Sequence, residues 1–196
     1  CRYGIFTKSP QTGFYSESYS GGKAAEKMSR SGFDAVVVKG AGAEPLVLEI
    51  SEEGARLHDA ADLWGKETYA AEDALLAAHG GVTKAAALVI GPAGERQVPF
   101  SIVANDYWRC AGRTGAGAVM GSKRLKGLVY RGGAKRPLAD PDGIEAYARK
   151  MLAEKKDHAA TQTYKNFGTP VMVNLLNTFG AFPTRYWHEG RKKGFE

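Results

Sequence analysis

Cysteine is almost absent: Cys1 and Cys110 are the only two in 196 residues. Two thiols cannot supply the four of a cubane iron–sulfur cluster or of a closed, all-cysteine zinc site. They read instead as two reduced thiols of a cytosolic protein. No apolar run approaches the roughly 18 residues of a membrane span, and no basic-then-apolar leader marks the chain for export. A cytoplasmic chain with no membrane partner is therefore expected. Histidine is also scarce. His58, His79, His158 and His188 show no metal-ligand spacing, and each reads as a surface or locally satisfied side chain. No helix-turn-helix, zinc-finger or aromatic RNA-binding signature accompanies the net charge of +6, so no nucleic-acid partner is expected. An initiator Met is missing, and the last residues carry no helix stop. These ends read as those of a piece excised from a longer protein.

Glycine is abundant. Twenty-five glycines are nearly twice the usual share of about 7%, without the period of collagen. They imply tight turns and close backbone approaches. Charge is uneven: residues 1–122 hold 12 Lys/Arg against 14 Asp/Glu, and residues 123–196 hold 15 against 7. The basic part reads as a solvated face, or one that meets phosphate or an acidic partner.

Residues 2–8 and 14–18 read as strands around a Ser-Pro-Gln-Thr-Gly turn, and residues 23–30 as a helix closed by Gly32. The valines of 34–38 suggest a buried strand. Residues 46–50 and 55–58 form a hairpin over Glu52-Glu53-Gly54. A helical turn follows at 59–64, then a helix over 68–79 and a strand over 86–90. Residues 91–94 read as a tight loop, and 98–104 and 125–130 as strands. After the proline-containing linker at 134–141 come two helices, 142–156 and 169–179. The order gives an α+β domain over 1–135, expected to lack its first strands, and the start of an α-helical domain over 136–196. A sheet edge left bare by missing strands favours self-association, so a homo-oligomer is expected.

The stretch from Arg109 to Lys123 is the most informative. Gly112, Gly115, Gly117 and Gly121 alternate with small residues and are flanked by Arg109, Arg113, Lys123 and Arg124. Exposed amides beside guanidinium groups favour an anion, most simply phosphate. The same composition also suits a Gly-rich turn that merely packs tightly. A dinucleotide fingerprint needs G-x-G-x-x-G, whereas the spacing here is Gly115-x-Gly117-x-x-x-Gly121. A P-loop needs Gly-Lys-Ser, but here Gly121-Ser122-Lys123 transposes the last two. Ser20-Gly21-Gly22, opening the first helix, is a second candidate anion site. Two such starts suit a ligand with more than one phosphate, a dinucleotide or a phosphorylated pterin. Glu95 and Asp106 read as loop carboxylates making caps or salt bridges rather than as an acid/base pair. Trp108 reads as a core residue, or else as a wall of the ligand site.

Several ordered motifs together resemble the N-terminal region of the tungsten-dependent aldehyde ferredoxin oxidoreductases. They are Thr7-Lys8-Ser9-Pro10 with Thr12-Gly13, Ser20-Gly21-Gly22, Gly32-Phe33-Asp34-Ala35, Leu63-Trp64-Gly65, Ile90-Gly91-Pro92-Ala93-Gly94-Glu95, Asn105-Asp106, and Ala111-Gly112-Arg113 with Gly117 through Lys123. Gly180-Ala181-Phe182-Pro183 resembles the start of that family's second domain.

The resemblance implies a two-sheet base domain carrying a bis-pterin that holds tungsten or molybdenum, with magnesium bridging the pterin phosphates. Residue by residue, it places cofactor contacts on Arg2, Tyr19, Gly21, Arg109, Cys110, Gly112 and Arg113. It places magnesium on the main-chain carbonyls of Tyr19 and Cys110, where the family pattern has Asn and Ala. A carbonyl ligand survives a side-chain change, and Cys110 is not implied as a tungsten ligand. The family's chemistry is oxidation of an aldehyde to a carboxylate, with electrons passing through a 4Fe-4S cluster to ferredoxin or another electron-transfer subunit. The cluster cysteines and the catalytic groups of that family match nothing in these residues, so no catalytic residue is assigned here. The residues by themselves leave open a non-redox domain that binds a nucleotide or other phosphorylated ligand.

Overall fold

Residues 85–89 read Ala-Ala-Ala-Leu-Val, and every one is buried. Alternate side chains of a strand point to opposite faces. Ala86 and Leu88 accordingly join one apolar cluster, and Ala85, Ala87 and Val89 the other. A strand of this kind has to lie inside a sheet covered on both sides. The structure, a computed structural model, describes residues 2–194; Cys1, Phe195 and Glu196 lie outside the described residues. The chain divides into two compact units, up to Arg136 and from Pro137.

In the first unit, β1 (Tyr3–Lys8) and β2 (Tyr15–Ser20) pair antiparallel as a two-stranded sheet. The larger sheet contains β3 (Leu46–Ser51), β4 (Gly54–Asp59), β5 (Ala85–Val89), β6 (Val103–Asn105), β7 (Arg109–Ala111) and β8 (Leu125–Arg131). Its order is β4-β3-β8-β5-β6-β7. Only β3 and β8 run parallel; the other neighbours are antiparallel. Helices α1 (Lys23–Arg30), α2 (Thr68–Ala78), α3 (Pro92–Glu95) and α4 (Ala116–Ser122) complete the unit. Ala24 and Ala25 of α1 and Ala116 and Met120 of α4 share one core cluster with Leu88 and Tyr130. Ala71 and Leu75 of α2 share the other with Val47 and Val129. The sheet is therefore clad on both faces, and the α+β, two-sheet expectation holds.

The second unit is helical. Its α5 (Pro141–Lys155) starts with Asp140, whose side chain accepts the Gly143 N–H at 2.8 Å, and has Pro141 in its first turn. After α6 (Ala159–Phe167) a 3-10 turn (Thr169–Val171) leads into α7 (Met172–Thr178). The buried Asn177 accepts the Lys192 N–H at 2.6 Å and donates to its carbonyl at 3.0 Å. This ties the tail back to α7.

Several expectations are corrected. Residues 34–38 form no strand, and Val37 is 77% exposed. β-Branched side chains favour a strand only where a neighbouring strand offers a ladder, and residues 34–38 pair with no strand of either sheet. Of residues 98–104, only Val103 and Ala104 are in a strand, as part of β6. Gln97 has φ 56, and the bonds Val98 N–H to Ala93 O and Ser101 N–H to Val98 O wind the chain first. The tight loop expected at 91–94 is instead the N-cap Gly91 and most of α3, with Pro92 preset for a first helical position. The apolar helix expected over 169–179 splits into the 3-10 turn and α7. No helix was expected at α6; it is mostly polar, and its cap is the side chain of His158 accepting from Ala160 N–H at 3.3 Å. Among the described residues no helix is long and apolar enough to cross a membrane.

Candidate functional site

The site is built outward from Asn105, a polar residue only 1% exposed. Its Oδ1 accepts from the Tyr3 hydroxyl at 2.7 Å and from Ser20 Oγ at 3.2 Å. Its Nδ2 donates to the Gly21 carbonyl at 3.0 Å and to Asp106 Oδ2 at 3.1 Å. One side chain of β6 thus docks both strands of the small sheet onto the large one. A buried amide fully satisfied in this way fixes one arrangement, because any other strands a polar group. Burial also drives the Tyr3 phenol far above its ordinary range.

Asp106 completes the joint. Its Oδ2 accepts the Lys23 N–H, the first amide of α1, at 2.6 Å. Gly22 sits at φ 95, and a Cβ there would collide with the Asp106 carboxylate. Ser20-Gly21-Gly22 is therefore corrected: its helix start binds an internal carboxylate, not an external anion. Asp106 and Tyr107 hold positive φ values of 47 and 57. Their amides donate to Glu72 of α2 at 2.6 and 3.1 Å. Burial raises the Glu72 carboxyl above its ordinary value, against the pull of these two bonds. Trp108, next in this turn, is corrected from core to surface at 84% exposure.

This turn sets the direction of β7. Cys110 and Gly112 are exposed, while Ala111 between them is buried. The Arg113 N–H donates to Ser18 Oγ at 3.0 Å, linking the loop after β7 to β2. Together they enclose a concavity of about 580 Å³ lined by Arg2, Glu17, Ser18, Tyr19, Cys110, Gly112 and Arg113. Five of the seven cofactor-contact residues expected from the resemblance are in that lining. Gly21, whose carbonyl is taken by Asn105, and Arg109, on the other face of β7 from Cys110, are not.

The electrostatics lean positive. Arg2 and Arg113 bring two guanidinium groups against one carboxylate, Glu17, and among the described residues neither arginine has an ion-pair partner. Glu17 Oε2 accepts from the Tyr19 hydroxyl at 2.9 Å, a bond that raises the Tyr19 phenol. Within the two sheets β2 has only β1 as a ladder partner and β7 only β6. Each strand keeps an edge whose backbone groups no ladder consumes.

The other glycines of the 109–123 segment do not face this space. A Cβ on Gly121 would strike the Gly94 carbonyl, and one on Gly115 or Gly117 the backbone of residues 99–102. They allow α4 to lie against α3 and the turn that follows it, which is the tight-packing reading. Only Gly112 opens to the pocket, with a Cβ position 3.4 Å from Cys110 Sγ and 3.7 Å from Ile102 Cγ2.

Glu95 is the salt-bridging loop carboxylate that its position suggested, but two partnerships were not visible from spacing. It pairs at 2.5 Å with Lys126, a lysine with no solvent exposure, and accepts the Gly65 N–H at 2.8 Å. His58 and His79, 21 positions apart, converge on Glu49.

Comparison with known proteins agrees with this architecture. A chain of Thermococcus kodakarensis named tungsten-containing aldehyde ferredoxin oxidoreductase is 38% identical over 190 residues, which cover 96% of this chain and 31% of that protein. Its namesake in Pyrococcus abyssi is 40% identical over the same shares. The chain thus spans about a third of the length of these relatives. The solved active-site complex BamBC of benzoyl coenzyme A reductase, with 1,5-dienoyl-CoA, superposes with a TM-score of 0.73 at 28% identity, covering 80% of this chain and 24% of that one. Residues 1–132, which hold both sheets and the whole pocket lining, match the family described as aldehyde ferredoxin oxidoreductase, N-terminal domain, and to that family this chain belongs.

Proposed function

We propose that the concavity between β2 and the loop after β7 holds the phosphate-bearing part of a tungsten (or molybdenum) bis-pterin. The observation that carries this is the pair Arg2 and Arg113, two guanidinium groups without ion-pair partners among the described residues, in one recess of about 580 Å³ beside Gly112. That volume falls within the range of about 300–1,000 Å³ usual for small-ligand sites. The lining fits a phosphorylated group: planar guanidinium donors match phosphate oxygens, and Gly112 lets the backbone come near.

Each residue has a limited task. Arg2 and Arg113 neutralise phosphate charge. The backbone carbonyls of Tyr19 and Cys110, on strands with an open edge, are suited to a bridging magnesium ion, a hard cation that takes oxygen ligands. Glu17 repels an anionic arm toward the arginine side, and the Tyr19 hydroxyl fixes its carboxylate. Gly21 and Arg109 flank the recess without lining it, so their contribution is to support its walls. When bound, the metal centre supplies the oxidation of an aldehyde to a carboxylate, its electrons leaving through a 4Fe-4S cluster to ferredoxin or a similar acceptor. The names of the relatives support that reading; the cluster and the catalytic groups are assigned to no residue of this chain. A cytoplasmic location accords with the reduced-thiol reading of the cysteines, and a homo-oligomer with the open edges of β2 and β7.

The test is cofactor content. In the protein that carries this chain, purified with its tungsten and pterin, Arg113→Ala and Arg2→Ala lower both, read by elemental analysis and pterin fluorescence. Unchanged content in both variants overturns the proposal. Loss of pyrophosphate binding with pterin never present would favour a plain phosphate-ligand domain.

A further inference from the structure

A second cluster of polar groups forms at the opposite end of the strand order, and none of its residues lines the pocket. Glu49 lies on β3 and is 6% exposed. Its Oε2 is 2.7 Å from Nε2 of His58, on the adjoining edge strand β4, and 3.9 Å from Nε2 of His79, which ends α2. The two imidazoles stand edge to face, with centroids 5.5 Å apart. All three ligand-type atoms lie within 4.8 Å of one another.

The tautomer of His79 gives this cluster its meaning. Its Nδ1 is 2.7 Å from the Leu75 carbonyl oxygen. A carbonyl only accepts, so Nδ1 carries the proton, and Nε2 of the neutral ring presents a lone pair. That nitrogen lies 3.9 Å from Glu49 Oε2, another acceptor. A cation between the two would satisfy both. A backbone carbonyl holding the far nitrogen is the usual support for a metal-ligating histidine. Arg131 bonds the other carboxylate oxygen, Oε1, at 2.9 Å, which leaves Oε2 as the single coordinating atom.

We propose that Glu49, His58 and His79 bind one divalent transition-metal cation of the zinc type, with water completing the shell. Two imidazoles and one carboxylate form a donor set suited to such a borderline ion. Four ligands at about 2.0–2.2 Å in a tetrahedron stand roughly 3.3–3.6 Å apart, and the present spacings of 2.7 and 3.9 Å bracket that value. His58 is 42% exposed at its side chain, which leaves a path from solvent. The ion would pin the edge strand β4 to the end of α2. The nearby Arg131 charge keeps the site weaker than a closed structural one.

The test uses the whole chain, stripped with a chelator and titrated with Co²⁺ and then Zn²⁺. The expected result is one cobalt per chain with the strong visible bands of four-coordination, displacement by zinc, and a thermal midpoint that rises with zinc. His58→Ala and His79→Ala each weaken binding by at least about tenfold, a loss that even outer-sphere changes can cause. If His79→Ala fails to fold by circular dichroism, His58→Ala, on an exposed edge strand, decides. Absence of the bands, or equal affinity in wild type and His58→Ala, overturns the proposal; the first leaves an ordinary glutamate–histidine ion pair, and the second assigns the metal to another group such as Cys110.

Discussion

The backbone N–H of Lys23 donates to Oδ2 of Asp106 at 2.6 Å, so α1 begins on a carboxylate supplied by the turn before β7. The same carboxylate accepts from Asn105, which holds β1, β2 and Gly21. Placement of the pocket wall therefore passes through one acidic side chain. Asp106→Ala removes a helix cap, which costs about 0.5–2 kcal/mol, and it also leaves an Asn105 donor unsatisfied. A loss of at least that much unfolding free energy, read as a lower urea midpoint at unchanged slope, is expected. An unchanged midpoint would refute the role of Asp106 in the joint.

Lys126 and Glu95 form a buried ion pair at 2.5 Å, with side-chain exposures of 0% and 6%. Breaking such a pair leaves an uncompensated charge and costs about 3–5 kcal/mol, whereas replacing both partners by apolar groups is often neutral. Lys126→Met alone should be severely destabilising, and Lys126→Met with Glu95→Leu should recover much of the loss. The remaining deficit reflects the Gly65 and Lys66 backbone groups that the pair also satisfies. Additive losses in a double-mutant cycle would contradict the pairing.

Glu49 and Glu72 bend the acid side of the stability curve in opposite senses. The folded-state pKa of Glu49 lies below its ordinary 4.5, so its contribution is present above that value and is lost as pH falls through the lower, folded one. The pKa of Glu72 lies above 4.5, so its contribution is full below that value and fades as pH rises through the higher, folded one. Thermal melts from about pH 3 to about pH 7 should show Glu49→Gln losing most relative to wild type at the neutral end. Glu72→Gln should compare best with wild type at that same end. Parallel curves for wild type and both variants would reject the assignment.

Much of the first unit was legible in the chain because its signals are local. The 46–59 hairpin announces itself by an apolar run at 46–50 and a return strand after the Glu52-Glu53-Gly54 turn, and α1, α2 and β8 by periodic small and apolar residues between glycines. The valines at 34–38 misled because a strand needs a partner, and partnership is not written in propensity. The three-residue strands β6 and β7 are defined by pairing with each other and with β5, which no window of sequence contains. At the site, Gly112 and Arg113 were legible as an anion-favouring pair. The hub at Asn105 was not, since its partners lie 102, 85 and 84 positions away. Nor was the meeting of His58 and His79, which depends on where α2 ends above β4.

The glycines of the 109–123 segment separate into two kinds, and substitution distinguishes them. At Gly121 a methyl group would enter the space of the Gly94 carbonyl, backbone that cannot step aside. Gly121→Ala is expected to cost about 1–3 kcal/mol or more, as overpacking does. At Gly112 the nearest atoms are side-chain ones at 3.4 and 3.7 Å, ordinary contact, so Gly112→Ala should shift the urea midpoint little. Its methyl group would stand in the pocket lining, however, where the proposed phosphate arm approaches the backbone. Gly112→Ala should therefore lower pterin and metal content in a protein of near-normal stability, and Gly121→Ala should lower stability first. If Gly112→Ala keeps full cofactor content, the arm does not pass over this residue, and the recess between Arg2 and Arg113 serves some other anion.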